Sequence, residues 1–217
     1  MAKATKRVKS VTKTRIKATA SASTSTASDQ TQEIHFFKDT SALESWLEAR
    51  HTSTPSGIWV KIGKKNSGIA SISYDEVIDA GLCFGWIDGQ RKSHDEQYFL
   101  QRFTPRRKNS MWSKRNVDKV EVLTQAGRIR PAGQAEVDAA RADGRWARAY
   151  ASSSNIEIPA DFQKALEGSE VARKFFETLN KTQRYSFLWR IETARRPETR
   201  QRRIRQFVDL LAERKTI

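Results

Sequence analysis

The sequence predicts an α+β fold: a small, mostly antiparallel sheet with helices, followed by a C-terminal helical bundle. Two observations predict it. Short runs of β-branched and aromatic residues alternate with helical periods only as far as Pro105. Beyond Pro105 every periodic segment has helical spacing, punctuated by Gly127, Pro131, Gly144, Pro159 and Pro197.

In chain order, Ile34–Phe37 reads as an opening strand. Ser41-Ala42-Leu43-Glu44 has the capping-box pattern, with Leu43, Trp46 and Leu47 in helical phase and the Pro- and Gly-bearing stretch Thr52–Gly57 as the stop. Ile58–Ile62 is a second strand. Ser73-Tyr74-Asp75-Glu76 is another capping box, and Val77, Ile78 and Leu82 continue its apolar face. Gly85–Arg91 and Gln97–Phe103 read as two strands joined by the polar turn Lys92–Glu96. Ser113 or Asn116 caps a helix over Val117–Ala126, and Gly127 sits where a left-handed residue ends it. Pro131 opens a helix through Ala142. Four more follow: Pro159–Leu166, Glu170–Leu179, Thr182–Ala194 and Pro197–Glu213. In the third of these, Tyr185, Leu188, Trp189 and Glu192 share a phase that predicts Trp189 buried between the last two helices. The domain organisation expected is a tail over 1–32, an α+β domain over 33–146, and a helical region over 147–217 packed on it.

The tail stands apart in composition. Its first thirty residues carry seven basic side chains between Lys3 and Lys17 against one acid, Asp29, a net of +6 that leaves +9 of the chain's +15 for the rest. With no aromatic residue and no Leu, it buries too little apolar surface to offset its ordering entropy, which predicts disorder. No apolar core of about 7–15 residues follows the basic start, so secretion is not expected. The expected compartment is the cytoplasm, or the nucleus or a mitochondrion if the source is eukaryotic. No apolar run approaches the roughly 18 residues of a membrane span. One cysteine, Cys83, excludes an intramolecular disulfide framework and a cysteine zinc cluster, and three scattered histidines argue against a metal site. Gly63-Lys64-Lys65 lacks the spacing of a phosphate loop, and no Gly-x-Ser-x-Gly elbow occurs. No cofactor is expected.

The densest polar segment is Phe84–Asn116, where aromatics interleave with Arg and Lys. Trp86, Asp88, Gln90, Arg102, Arg106, Arg107, Trp112, Ser113 and Asn116 are its candidate ligand residues. Aromatic faces beside guanidinium groups suit an anionic ligand with planar rings, and a helix start at Ser113 adds free backbone N–H groups. Asp88 is the best candidate for a functional carboxylate, because Asp is disfavoured in a strand. An Asp-Gly bulge, or an ion pair with Arg91 or Arg102, would equally explain it. The cluster Arg195, Arg196, Arg200, Arg202, Arg203 and Arg205 could meet nucleic-acid phosphates or be a solvated face.

The segments Phe84-Gly85-Trp86-Ile87-Asp88-Gly89, Gln101–Arg106, Trp112–Asn116, Gly127–Gly133 and Asp143–Trp146, with Phe175-Phe176, Arg184-Tyr185, Arg190-Ile191 and Pro197–Arg200, resemble the YdeI/OmpD-associated (OmdA-like, bacteriocin-protection) family over about residues 33–217. The resemblance implies a poorly characterised protein of the stress- or antimicrobial-resistance type, with no catalytic residue to carry over. The expected function is a non-enzymatic binding or stress-resistance factor whose aromatic and Arg-rich site takes an anionic small molecule or an acidic protein surface. The alternatives are nucleic-acid binding through Lys3–Lys17 and Arg195–Arg205, and a small-molecule enzyme.

Overall fold

Four strands form one sheet: β1 (Ile34–Phe36), β2 (Ile58–Gly63), β3 (Trp86–Ser93) and β4 (Tyr98–Pro105), in the order β1-β2-β4-β3. This computed structural model describes Met1 and residues 33–217. The disorder expected of the tail, and its Lys3–Lys17 cluster, therefore lie outside the described residues. β1 runs parallel to β2, and the other two pairings are antiparallel.

Register decides the two faces. Ile58, Val60 and Ile62 stand opposite Phe103, Gln101 and Phe99, so these six share one face. Helices α1 (Thr40–Arg50) and α2 (Tyr74–Cys83) cover it, placing Leu43, Leu47, Val77 and Ile78 against Ile58, Val60 and Ile62. Each such side chain contributes about 1.5–3 kcal/mol through burial.

The helix starts follow local chemistry. Ser73 and Glu76 form the capping box expected for α2. α1 instead begins earlier than its spacing suggested: Asp39 is the cap and its carboxylate accepts the Ala42 N–H at 2.9 Å. An acid at this end also suits the helix dipole. The Glu44 of the expected box is engaged elsewhere, accepting from Arg128 at 2.7 Å.

α3 (Lys114–Gln125) and α4 (Pro131–Ala142) complete the first core through Val120, Leu123, Val137 and Ala140. Two glycines permit the approach of α4. Gly85 turns α2 into β3 at φ +74°, and a Cβ on Gly133 would lie 2.3 Å from the Cys83 carbonyl oxygen.

The C-terminal helices build a second core. α5 (Ala160–Glu167), α6 (Glu170–Thr178), α7 (Lys181–Glu192) and α8 (Pro197–Ala212) enclose a chain of edge-on rings. Phe162 meets Phe176 at 5.6 Å, Phe176 meets Phe187 at 6.4 Å, and Phe187 meets Phe207 at 5.2 Å.

Trp189 is not between the last two helices. Phe187, Leu188 and Ile191 turn into that core, whereas Trp189 is half-buried and meets Tyr150 edge-on at 6.0 Å. Of the expected phase Leu188 is in the core, whereas Tyr185, Trp189 and Glu192 meet the Tyr150-Ala151 segment, because α7 has apolar residues on two sides, one for each neighbour. Phe187→Ala should therefore cost about 3–5 kcal/mol in urea unfolding, and Trp189→Ala distinctly less. Equal losses would place Trp189 in the bundle core after all.

Candidate functional site

β4 ends at Pro105, and the next residue carries the most unusual side chain of the fold. Arg106 is only 6% exposed. Its backbone N–H donates to the Gly85 carbonyl at 2.9 Å, which fixes it beside the α2–β3 turn. Its guanidinium lies over the Trp112 ring at 3.5 Å, and one nitrogen donates to the Met111 carbonyl at 3.3 Å. The remaining nitrogens, Nε and Nη2, are buried without a partner among the described residues, as is Nε1 of Trp112.

Trp112 is held from several directions. Trp146 packs on it at 4.9 Å, and its carbonyl accepts the Tyr150 N–H at 3.0 Å. Ser113 bridges to Tyr150 and caps α3, its hydroxyl accepting the Asn116 N–H at 3.2 Å. A small cavity of about 50 Å³ opens beside Trp112, lined also by Met111, Arg145, Arg148, Glu192, Thr193, Ala194 and Arg195. That exceeds the roughly 10–15 Å³ one water requires.

Around Arg106 stand groups of both signs. Burial lowers its pKa to about 10, with Glu136, Tyr150 and Asp88 opposing the fall and Arg145 adding to it. It is still a cation at neutral pH. Burial likewise raises Glu136, against the pull of Arg106 and Arg145. Arg145 is buried but satisfied, donating to Asp143 at 2.6 Å and to the Ser110 carbonyl at 2.9 Å.

Asp88 sits on the covered face of the sheet, at a bulge where register shifts before Arg91. Its Oδ2 accepts the Tyr74 hydroxyl at 2.6 Å. Gln101, 2% exposed, stitches the bulge by donating to the carbonyls of Gly89 and Gln90 at 2.9 and 3.3 Å. Arg91 does not pair with Asp88. It donates to Gln101 at 3.2 Å and lies over the Tyr74 and Phe99 rings. Burial, then the Asp88 hydrogen bond, pushes the Tyr74 phenol well above its ordinary value. Burial and the nearby Asp88 raise Tyr150 as well.

The nine residues singled out from the sequence thus separate. Arg106, Trp112, Ser113 and Asn116 come together, and Asp88 reaches them electrostatically through Tyr150 and Arg106. Trp86 is core, 1% exposed and edge-on to Trp46 at 5.9 Å. Gln90 and Arg107 are exposed. Arg102 lies on the other face of the sheet from Asp88, because Asp88 stands opposite its neighbour Phe103. Its guanidinium donates to the Ser56 carbonyl. An Asp88–Arg102 pair is therefore precluded by strand parity. Tyr74 of α2, Glu136 of α4, and Arg145 and Tyr150 of the connection after α4 lie outside the segment singled out, and Gln101 lies within it but was not among the nine.

Elsewhere charges are mostly spoken for. A groove of about 720 Å³ along α3 has Lys119 bound to Asp79 at 2.6 Å and Arg115 to Asp75. In the C-terminal cluster Arg200 clasps Asp161 at 2.6 and 2.8 Å and Arg203 donates to the Arg190 carbonyl, while Arg195, Arg196, Arg202 and Arg205 are exposed. Among the described residues no His, Cys, Asp or Glu group is placed to hold a metal ion, and no helix is long and apolar enough to cross a membrane.

Residues 155–214 match the family described as bacteriocin-protection, YdeI or OmpD-associated. Residues 35–136 match a different family, a domain of unknown function, DUF8412. The resemblance read from the sequence thus has its family match in α5–α8, and the Phe84–Asn116 segment falls within the second match. No curated protein and no solved structure matches the chain.

The phenols give a pH test. An unfolded tyrosine ionises near pH 10. Above that the unfolded chain loses the Tyr74 proton while the fold keeps it, so stability falls as pH rises. Tyr74→Phe should flatten this alkaline loss and remove one late-ionising phenol from an absorbance titration. If the phenol lost were instead one that ionises near pH 10, Tyr74 would not be buried and bonded to Asp88 as the structure places it.

Proposed function

We propose that the protein is a non-enzymatic binding protein whose Arg106–Trp112 site takes a small anion, such as a carboxylate or phosphate group. The observation that supports this is the set of three buried donors, Nε and Nη2 of Arg106 and Nε1 of Trp112, without acceptors among the described residues. Each such donor costs about 1–3 kcal/mol, and more when charged. An acceptor-only ligand suits them, and the adjacent cavity is lined by Arg148 and Arg195 as well as by Glu192 and the Asp143-paired Arg145.

Among the neighbouring groups, Tyr74 and Tyr150 are pushed away from neutral pH, whereas burial raises Glu136 toward it. A protective role of the kind named in the family description matched by residues 155–214, bacteriocin protection, would then act through a bound anion or an acidic partner surface.

A melting assay of the full chain with phosphate, sulfate, acetate or chloride tests the reading. A fitting anion at about 100 times its dissociation constant stabilises by roughly 2.7 kcal/mol. Arg106→Met keeps a long stem on Trp112 and should abolish that gain. If no oxyanion stabilises the protein beyond chloride, or if Arg106→Met responds as the wild type does, the site is structural.

A further inference from the structure

We propose that a pocket between α7 and the connection over 151–159 takes a carboxylate carried on an apolar chain, of the fatty-acid class. The pocket holds about 440 Å³, within the size range of small-molecule sites. Lys181, Arg184, Tyr185 and Leu188 line it from α7. Spacings of three, four and seven residues put these four on one stripe of the helix. Leu179, just before α7, and Ile156 and Ile158 of the connection add apolar lining.

The floor belongs to the second core. Leu179 and Leu188 are buried members of that core, and Ile156 packs against it. Ile158, by contrast, is 41% exposed. The charged part of the lining is of one sign: among the described residues no acid lines the pocket, and Glu157, between the two isoleucines, is not part of its wall. Glu177, the nearest acid in sequence to Lys181, pairs instead with Arg173 at 2.6 Å. Arg184 donates through Nη2 to the Glu177 carbonyl and lies 5.6 Å from the Phe176 ring centroid. Its Nε is buried without a partner among the described residues.

Both parts of the lining argue for the occupant. A bare inorganic anion would meet Lys181 and Arg184 but leave the leucines and isoleucines against water. A neutral apolar molecule would cover those side chains but leave two cations unmatched. A carboxylate on an alkyl chain uses both, its head accepting from Lys181 and Arg184 and its chain lying on Leu179, Leu188 and Ile156. Ser153 and Ser154, also in the lining, can donate to the same head group. The pocket shares no lining residue with the cavity beside Trp112.

Isothermal titration calorimetry of the full chain with hexanoate, octanoate and decanoate, all below micelle-forming concentrations, tests it. Decanoate should bind saturably at one site, and affinity should rise up to about fourfold per added methylene. Octanol should bind at least tenfold more weakly than octanoate, since it offers no charge to the two cations. Arg184→Gln should weaken decanoate about tenfold or more, and Lys181→Gln up to about fivefold. Should Arg184→Gln not fold, Ile158→Glu at an exposed position supplies the same test: its acid should repel the carboxylate and weaken decanoate roughly tenfold or more. The proposal is overturned if affinity ignores chain length, if octanol binds as well as octanoate, or if decanoate binding ignores all three substitutions. It is also overturned if decanoate binding is lost in Arg106→Met but kept in Arg184→Gln, or if phosphatidylglycerol vesicles bind the protein while monomeric decanoate does not.

Discussion

A guanidinium buried against an indole is the contact on which the rest of the fold converges. Withdrawing a cation from water costs several kcal/mol even after relaxation. Here a desolvated cation–π contact of about 2 kcal/mol, the Met111 carbonyl and the attraction of Asp88 and Glu136 offset that cost in part. Two guanidinium nitrogens remain unmatched among the described residues. A structure that kept such a charge only for stability would gain by replacing it with an apolar side chain, so an unmatched buried cation points to recognition.

The same contact joins the two cores. Arg106 is pinned at the α2–β3 turn, Trp112 receives it, and the Trp112 carbonyl takes the Tyr150 N–H. Tyr150 then meets Trp189 of α7, while Tyr185 donates to the Ala151 carbonyl at 3.3 Å and Glu192 accepts the Ala151 N–H at 3.3 Å. A ligand at Arg106 would thus sit against the strand of contacts that ties the sheet to the C-terminal helices. That arrangement gives binding a route to the relative stability of the two halves.

Much of the fold was legible because its signals are local. Capping boxes, Pro at helix starts and Gly at helix ends need only a few neighbouring residues, and α2, α3 and α4 begin or end where those signals stand. What failed required knowledge of partners. Trp189 turned toward Tyr150, a residue distant in sequence, while at α1 the nearby Asp39 took the cap in place of Ser41 and Glu44 was drawn to the distant Arg128. Of the site, Arg106, Trp112, Ser113 and Asn116 were readable because they lie within eleven consecutive residues. Arg102 was misjoined to Asp88, since the bulge after Asp88 and the parity of β4 put them on opposite faces. Tyr74, Glu136 and Tyr150 were invisible, being brought in by helices and a loop that share no spacing with the segment.

The central claim is that the buried donors of Arg106 and Trp112 receive an anion. The most direct measurement is a nitrogen–proton correlation spectrum of the full chain, in which six tryptophans give six indole signals. The Trp112 signal, assigned by Trp112→Phe, and the Arg106 Nε–H signal, assigned by Arg106→Met, should move together and saturate as phosphate or acetate is added, while chloride leaves them in place. Signals that stay fixed under every oxyanion, or that drift without saturation alongside the other indoles, would contradict it.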